Sequence, residues 1–217
     1  MKPLITIILP AILVLASCNS QVYKDKSFFS RNNVSGQTLA ILPAEVIFTG
    51  NLPKNWDEER IAKMENEESS RLQQEVYDDF LYHASDRVIR KKHNVKLIDI
   101  KVINDKLEKN GISLKDSWKL PSEEIAKILG TDMVLRVRVQ NVRYMSRAAA
   151  AGINIGASVI EGILSQGRST GVGMPRTRAG ETDMDLSLYH SSQSNAIVRF
   201  DADRKVRTNR LPVYVRN

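Results

Sequence analysis

Ser122-Glu123-Glu124-Ile125-Ala126-Lys127-Ile128-Leu129-Gly130 runs straight into Thr131-Asp132-Met133-Val134-Leu135-Arg136-Val137-Arg138-Val139-Gln140. The first half has helical spacing. Ile125, Ile128 and Leu129 share one face, Ser122 stands at the N-cap, and Gly130 supplies the stop. The second half has a period of two. Leu135, Val137 and Val139 alternate with Arg136, Arg138 and Gln140, which predicts a strand over 131–144. One face of that strand lies on a core; the other meets water or a partner. A helix feeding a half-buried strand implies a sheet with helices packed on it.

Working back from that passage, Gln37 to Phe48 holds the compact apolar run Leu39-Ala40-Ile41-Leu42-Pro43. It reads as a buried strand with proline near its exit. Asn55 to Lys92 reads as the longest helix, capped by Asn55, with Asp57, Glu58 and Glu59 at the positive end of its dipole. Leu72, Val76, Phe80, Ala84 and Val88 recur every four residues, and Ile61 and Met64 extend the stripe. Arg87, Arg90, Lys91 and Lys92 suit the negative end. Val95 to Val102 reads as a second strand, and Asn104 to Asn110 as a short helix closed by Gly111. Forward of the passage, Thr182 to His190 (Met184, Leu186, Leu188) and Asn195 to Asp201 (Ala196, Val198, Phe200) read as a hairpin turning at Ser191 to Ser194. The fold class is therefore α/β, of the α+β mixed-sheet kind. It is a single domain of about five strands with one long helix and shorter helices packed on the sheet.

Cys18 is the only cysteine among 217 residues. Lys2 gives a positive start, Pro3 to Ala16 is uncharged and almost wholly apolar, and small residues precede the cysteine, the layout of a secretory signal. The apolar run is shorter than the roughly 20 residues of a membrane span. Leu15-Ala16-Ser17-Cys18 resembles the lipobox of bacterial lipoproteins. That resemblance implies cleavage between Ser17 and Cys18 and a diacylglyceryl group joined to the Cys18 sulfur as a thioether, with palmitate among the fatty chains of the anchor. Each buried methylene contributes about 0.8 kcal/mol, so two or three chains attach lastingly. The organisation expected is a signal peptide at 1–17, a lipidated tether at 18–36, an α/β domain at 37–201 and a basic tail at 202–217. Within the domain, 148–180 is an Ala/Gly-rich insert with a basic loop. Asn19 stands where an inner-membrane retention signal would often place aspartate, which points to the outer membrane facing the periplasm.

The formal net charge of +7 is unevenly placed. Residues 1–135 balance, 19 basic against 19 acidic, whereas 136–217 carry 13 against 6, mostly arginine. Arginine suits planar pairing with carboxylates and phosphates. Arg136, Arg138, Arg168, Arg176 and Arg178 are thus candidates for an anionic contact; a solvated face with a disordered tail is the alternative. The leader removes nucleic acid as the partner of this charge. Residues 148–164 span about 25 Å as a helix, short of the roughly 30 Å of bilayer hydrocarbon. Gly152 and Gly156 make this stretch a candidate for self-association or for lying on a membrane surface. A plain packed helix and a membrane insertion are the other readings.

Catalytic signatures are not found. His83, His93 and His190 lack ligand spacing, so no metal is expected. Glu65, Glu67, Glu68, Asp78 and Asp79 fall on the polar side of the long helix and read as a solvated face. Gly167-Arg168-Ser169-Thr170-Gly171 is not a nucleophile elbow, and Gly152-Ile153-Asn154-Ile155-Gly156 lacks the third glycine of a dinucleotide loop. The chain is read as a non-enzyme without cofactor.

Three passages share a further likeness: Thr38-Leu39-Ala40-Ile41-Leu42-Pro43, Glu123 to Leu135, and Asp185-Leu186-Ser187-Leu188-Tyr189 with Ala196-Ile197-Val198-Arg199-Phe200. Together they resemble an uncharacterised branch of envelope lipoproteins sharing the periplasmic α/β core of CsgG and LpoB. The chain departs from that pattern at the hairpin, where Ser191 to Asn195 lacks the usual turn glycine and Arg199 replaces a frequent tryptophan. The resemblance implies an accessory or assembly lipoprotein that binds a periplasmic protein, with homo-oligomerisation as a further implication. A secretion-channel subunit and an activator of peptidoglycan synthesis are the alternative roles it carries.

Overall fold

The computed structural model describes residues 21–49, 52, 54–84, 95–141 and 182–202. Seven strands form one mixed sheet: β1 (Gln21–Lys24), β2 (Thr38–Ile41), β3 (Glu45–Phe48), β4 (Lys96–Leu97), β5 (Met133–Asn141), β6 (Thr182–His190) and β7 (Ala196–Ala202). Among the described residues five helices accompany them: α1 (Lys26–Arg31), α2 (Glu58–Ala84), α3 (Ile100–Lys109), α4 (Leu114–Ser117) and α5 (Ser122–Leu129). The sheet order is β1-β7-β6-β5-β2-β4, with β3 also paired to β5.

β5 is the spine. Its first half pairs in parallel with β2 (Leu39↔Met133 to Ile41↔Leu135), and its second half with β3 (Glu45↔Arg138 to Phe48↔Asn141). β2 and β3 thus lie end to end along one edge of β5, broken around Pro43, which cannot donate to a ladder. On its other edge β5 pairs antiparallel with β6, and β6 with β7, which is the hairpin the alternation predicts.

Alternation sorts the core into two layers. Leu39, Ile41, Leu135, Val137, Val139, Leu186 and Leu188 point to one side and pack on Leu72, Val76 and Phe80 of α2 and Phe28 of α1. Ala40, Leu42 and Val134 point to the other, against Ile103 and Leu107 of α3 and Ile125 and Leu129 of α5. β2 is buried on both faces, as a parallel strand under helices must be.

The mixed α/β class holds, and four local readings shift. The N-cap of the long helix is Asp57, whose Oδ1 accepts the Arg60 N–H at 2.8 Å, instead of Asn55. The second strand shrinks to two residues. Asp99 takes the Lys101 N–H at 2.8 Å and starts α3 at Ile100, so Ile100 and Val102 are helical. A side-chain cap one residue beyond Ile98 outweighs the β preference of these branched residues. Pro121, and not Ser122, occupies the N-cap of α5, while Gly130 closes that helix at φ +64° as expected. Finally, where 18–36 reads as a tether, residues 21–31 contain β1 and α1. β1 pairs with β7 from Gln21↔Asp201 to Lys24↔Val198.

Among the described residues, no helix is long and apolar enough to cross a membrane. Ser17, Cys18, Gly152, Gly156, Arg168, Arg176 and Arg178 lie outside the described residues, as do the Ala/Gly-rich insert and the basic tail.

Candidate functional site

The helices cover the second face of the sheet only in part. Along β5 the residues on that face are Val134, Arg136, Arg138 and Gln140. Val134 is buried under α5, and Arg136 marks where the cover ends. Its guanidinium Nη2 donates to the Leu120 carbonyl at 2.6 Å and lies 3.4 Å from that of Ser117. The same group sits 5.6 Å from the Trp118 ring centre and 5.8 Å from that of Tyr189. Trp118 is itself fixed by donation from Nε1 to the Pro43 carbonyl at 2.9 Å. Burial pulls the Arg136 guanidinium below its ordinary pKa, and the nearby Tyr189 and Glu45 oppose that shift. Arg136 therefore clamps the α4–α5 connection onto the sheet, a planar fork satisfying backbone carbonyls.

Beyond Arg136 the face is polar. Directly paired residues share a face, so Glu45 on β3, Arg138 on β5 and Asp185 on β6 form a row. Arg138 Nε lies 3.0 Å from Glu45 Oε2. Arg199 of β7 reaches diagonally to Asp185, with Nη2 at 2.6 Å and Nε at 2.8 Å from Oδ2. Ser187 Oγ donates to Asp185 Oδ1 at 2.7 Å. Tyr23 on β1 pairs in register with Arg199 and is 55% exposed. The result is a surface of fixed, alternating charge crossing four strands, edged by a tyrosine. No described helix lies over it.

A groove of about 360 Å³ runs beside this face, lined by Val46, Ile47, Glu65, Leu114, Lys115 and Trp118 among others. Its rim carries a Glu65–Lys115 ion pair at 3.0 Å. Glu65 Oε1 also accepts the Phe48 N–H at 3.2 Å, and Ser69 Oγ donates to the Ala44 carbonyl at 2.6 Å. α2 thereby closes much of the outer edge of β3, leaving little room for an added strand.

The two described arginines of the predicted anionic contact thus serve different ends. Arg136 is half-buried and bound to carbonyls, and Arg138 is exposed but paired to Glu45. Sequence reading missed Trp118, Asp185, Arg199 and Tyr23. The alternation of Asp183, Asp185 and Ser187 with the apolar residues of β6 carries the only sequence signal for the polar face. His190 is the one histidine whose side chain is described. Its Nδ1 accepts the Ser192 N–H at 3.1 Å, and its ring stands 5.0 Å from Phe28. Among the described residues, no three His, Cys, Asp or Glu side chains gather into a metal site.

No family model and no curated protein matches the chain. Among solved structures, the lipoprotein GNA1162 of Neisseria meningitidis aligns at 11% identity, covering 76% of this chain and 78% of that one, with a TM-score of 0.36. The LpoB C-terminal domain of Salmonella enterica aligns at 12% identity over 82% and 92% of the two chains, TM-score 0.36. That of Escherichia coli aligns at 13% over 82% and 95%, TM-score 0.34.

Proposed function

We propose that the chain is a non-catalytic, lipid-anchored cell-envelope protein, an accessory or assembly factor that docks a protein partner in the periplasm. The lipobox at Leu15 to Cys18 supports the anchor, with attachment to the outer membrane facing the periplasm. The observation that carries the docking role is the polar sheet face of Glu45, Arg138, Asp185 and Arg199. Its charges are held rigidly on strands, and complementary fixed charges give a partner register and specificity more than raw affinity.

The test is Arg138→Glu combined with Arg199→Glu in cells, followed by crosslinking and mass spectrometry. Both side chains are more than half exposed, so the fold should survive and far-UV circular dichroism should be unchanged. Loss of a crosslinked envelope protein supports the reading. An unaltered crosslink pattern would assign the face to solvent alone. Intact mass of the mature protein tests the anchor separately.

A further inference from the structure

Only Asn19 and Ser20 separate Cys18 from Gln21, and Gln21 is already paired with Asp201 in the sheet. Even fully extended, the step from Cys18 to Gln21 covers about 10 Å. β1 is an edge strand, and α1 follows it after the single residue Asp25. The surface of this edge is basic. Lys26 and Arg31 are exposed, as are Ser27, Ser30 and Tyr23. Asp25, the one acid in the segment, is engaged as the α1 N-cap. Its Oδ1 accepts the Phe28 N–H at 3.0 Å and the Ser27 hydroxyl at 2.6 Å. Lys24 lies over the Phe29 ring, 4.2 Å from its centre.

We propose that the β1–α1 edge, through Tyr23, Lys26 and Arg31, rests on an anionic lipid surface, the leaflet that holds the Cys18 anchor. The inference depends on acylation at Cys18 as proposed above. Three observations select a bilayer as the occupant. The chain between anchor and sheet is short enough to keep the Gln21 end of this edge within about 10 Å of the anchor. The charges it presents are cations, which an anionic leaflet attracts within a Debye length. Tyrosine, at its exposed end, is a side chain that partitions to the headgroup layer. The domain is thus held flush against the membrane, and the short basic helix is a second membrane signal beside the acyl chains.

The test uses the mature lipidated protein in two kinds of vesicle, phosphatidylcholine alone and phosphatidylcholine mixed with phosphatidylglycerol. Amide hydrogen exchange is read over residues 21–31, with β5 as the internal standard. The expected result is slowing of exchange in that segment by roughly fivefold or more on the anionic vesicles, with β5 unchanged. In Lys26→Glu with Arg31→Glu, both on exposed positions, the slowing should disappear while β5 stays protected. Equal exchange in that segment on both vesicles overturns the anionic-lipid contact and leaves the anchor standing. An intact mass lacking acyl chains overturns the anchor itself, and the close approach with it.

Discussion

The Asp132 carboxylate holds Thr38 by two hydrogen bonds, accepting its backbone N–H and its Oγ1, each at 2.8 Å. Thr38 Oγ1 in turn accepts the Asp132 N–H at 2.9 Å. This exchange sits one residue before the Leu39↔Met133 rung, so it sets the register in which β2 enters beside β5. Asp132→Ala leaves the Thr38 N–H without its partner, and charged hydrogen bonds of this kind contribute about 1.5–3 kcal/mol. A loss of that size in denaturant unfolding at neutral pH is expected. The bonds from Thr38 draw the Asp132 carboxyl below its ordinary value. A depressed acid contributes stability above its unfolded pKa and loses it as pH falls through the folded one. The difference between wild type and Asp132→Ala should therefore shrink only below about pH 4.

His190 gives a second acid response, linked to the first through the Asp132 charge. Ser192 N–H donates to Nδ1, so the ring proton of the neutral form sits on Nε2, which is buried with no hydrogen-bond partner among the described residues. Burial lowers its pKa, with the Asp132 charge opposing in part. A base whose folded pKa is depressed takes up its proton more readily in the unfolded chain, so stability falls as pH drops below about 6.5. His190→Phe removes the titrating group and should flatten the stability profile between about pH 6.5 and 5. A profile equally steep in the variant would refute the assignment.

Gln73 is a buried amide with a defined task. β4 ends at Leu97, so beyond Leu39 the outer edge of β2 has no strand beside it. The next outward carbonyl, that of Ile41, accepts Gln73 Nε2 at 2.8 Å, and Gln73 and Asn104 exchange bonds at 3.2 Å. Gln73→Leu leaves the Ile41 carbonyl and the Asn104 amide unpaired inside the protein. The expected cost is about 1–3 kcal/mol in chemical denaturation. Asn104→Ala, which leaves the Ile41 bond intact, should cost less.

Arg136→Lys tests the clamp. An ammonium cannot lie flat between Trp118 and Tyr189 while reaching the Leu120 carbonyl, so the exchange is not conservative here. A loss of roughly 1–2 kcal/mol is expected, with a shift in Trp118 fluorescence. Arg199→Ala, on the exposed pair, should change stability by about 0.5 kcal/mol or less.

The long periodic elements were legible because their period is a local property. The alternation of β5 and the hairpin of β6 and β7 stand in the sequence as they stand in the sheet. The Leu72, Val76, Phe80 stripe likewise lands on the core. β1 was not legible, since Gln21-Val22-Tyr23-Lys24 on a sheet edge needs no apolar run, only a neighbour to pair with. Residues 98–102 misled because β-branched content speaks for a strand while a single aspartate starts a helix. Arg136 and Arg138 look alike in sequence, yet one clamps carbonyls and the other pairs with Glu45. That difference depends on which loop crosses above each rung, a relation between residues far apart in the chain.

Asn141 and Thr182 are partners on the last rung between β5 and β6. The chain leaves β5 and re-enters β6 on this one rung, so the two ends of the stretch from 142 to 181 are a single strand spacing apart, like the two pins of a socket. Joining Asn141 to Thr182 through an Asn-Gly turn should yield a chain that still folds. The glycines and arginines of that stretch could then be exchanged wholesale, and whatever they bring to the protein measured against an unaltered frame.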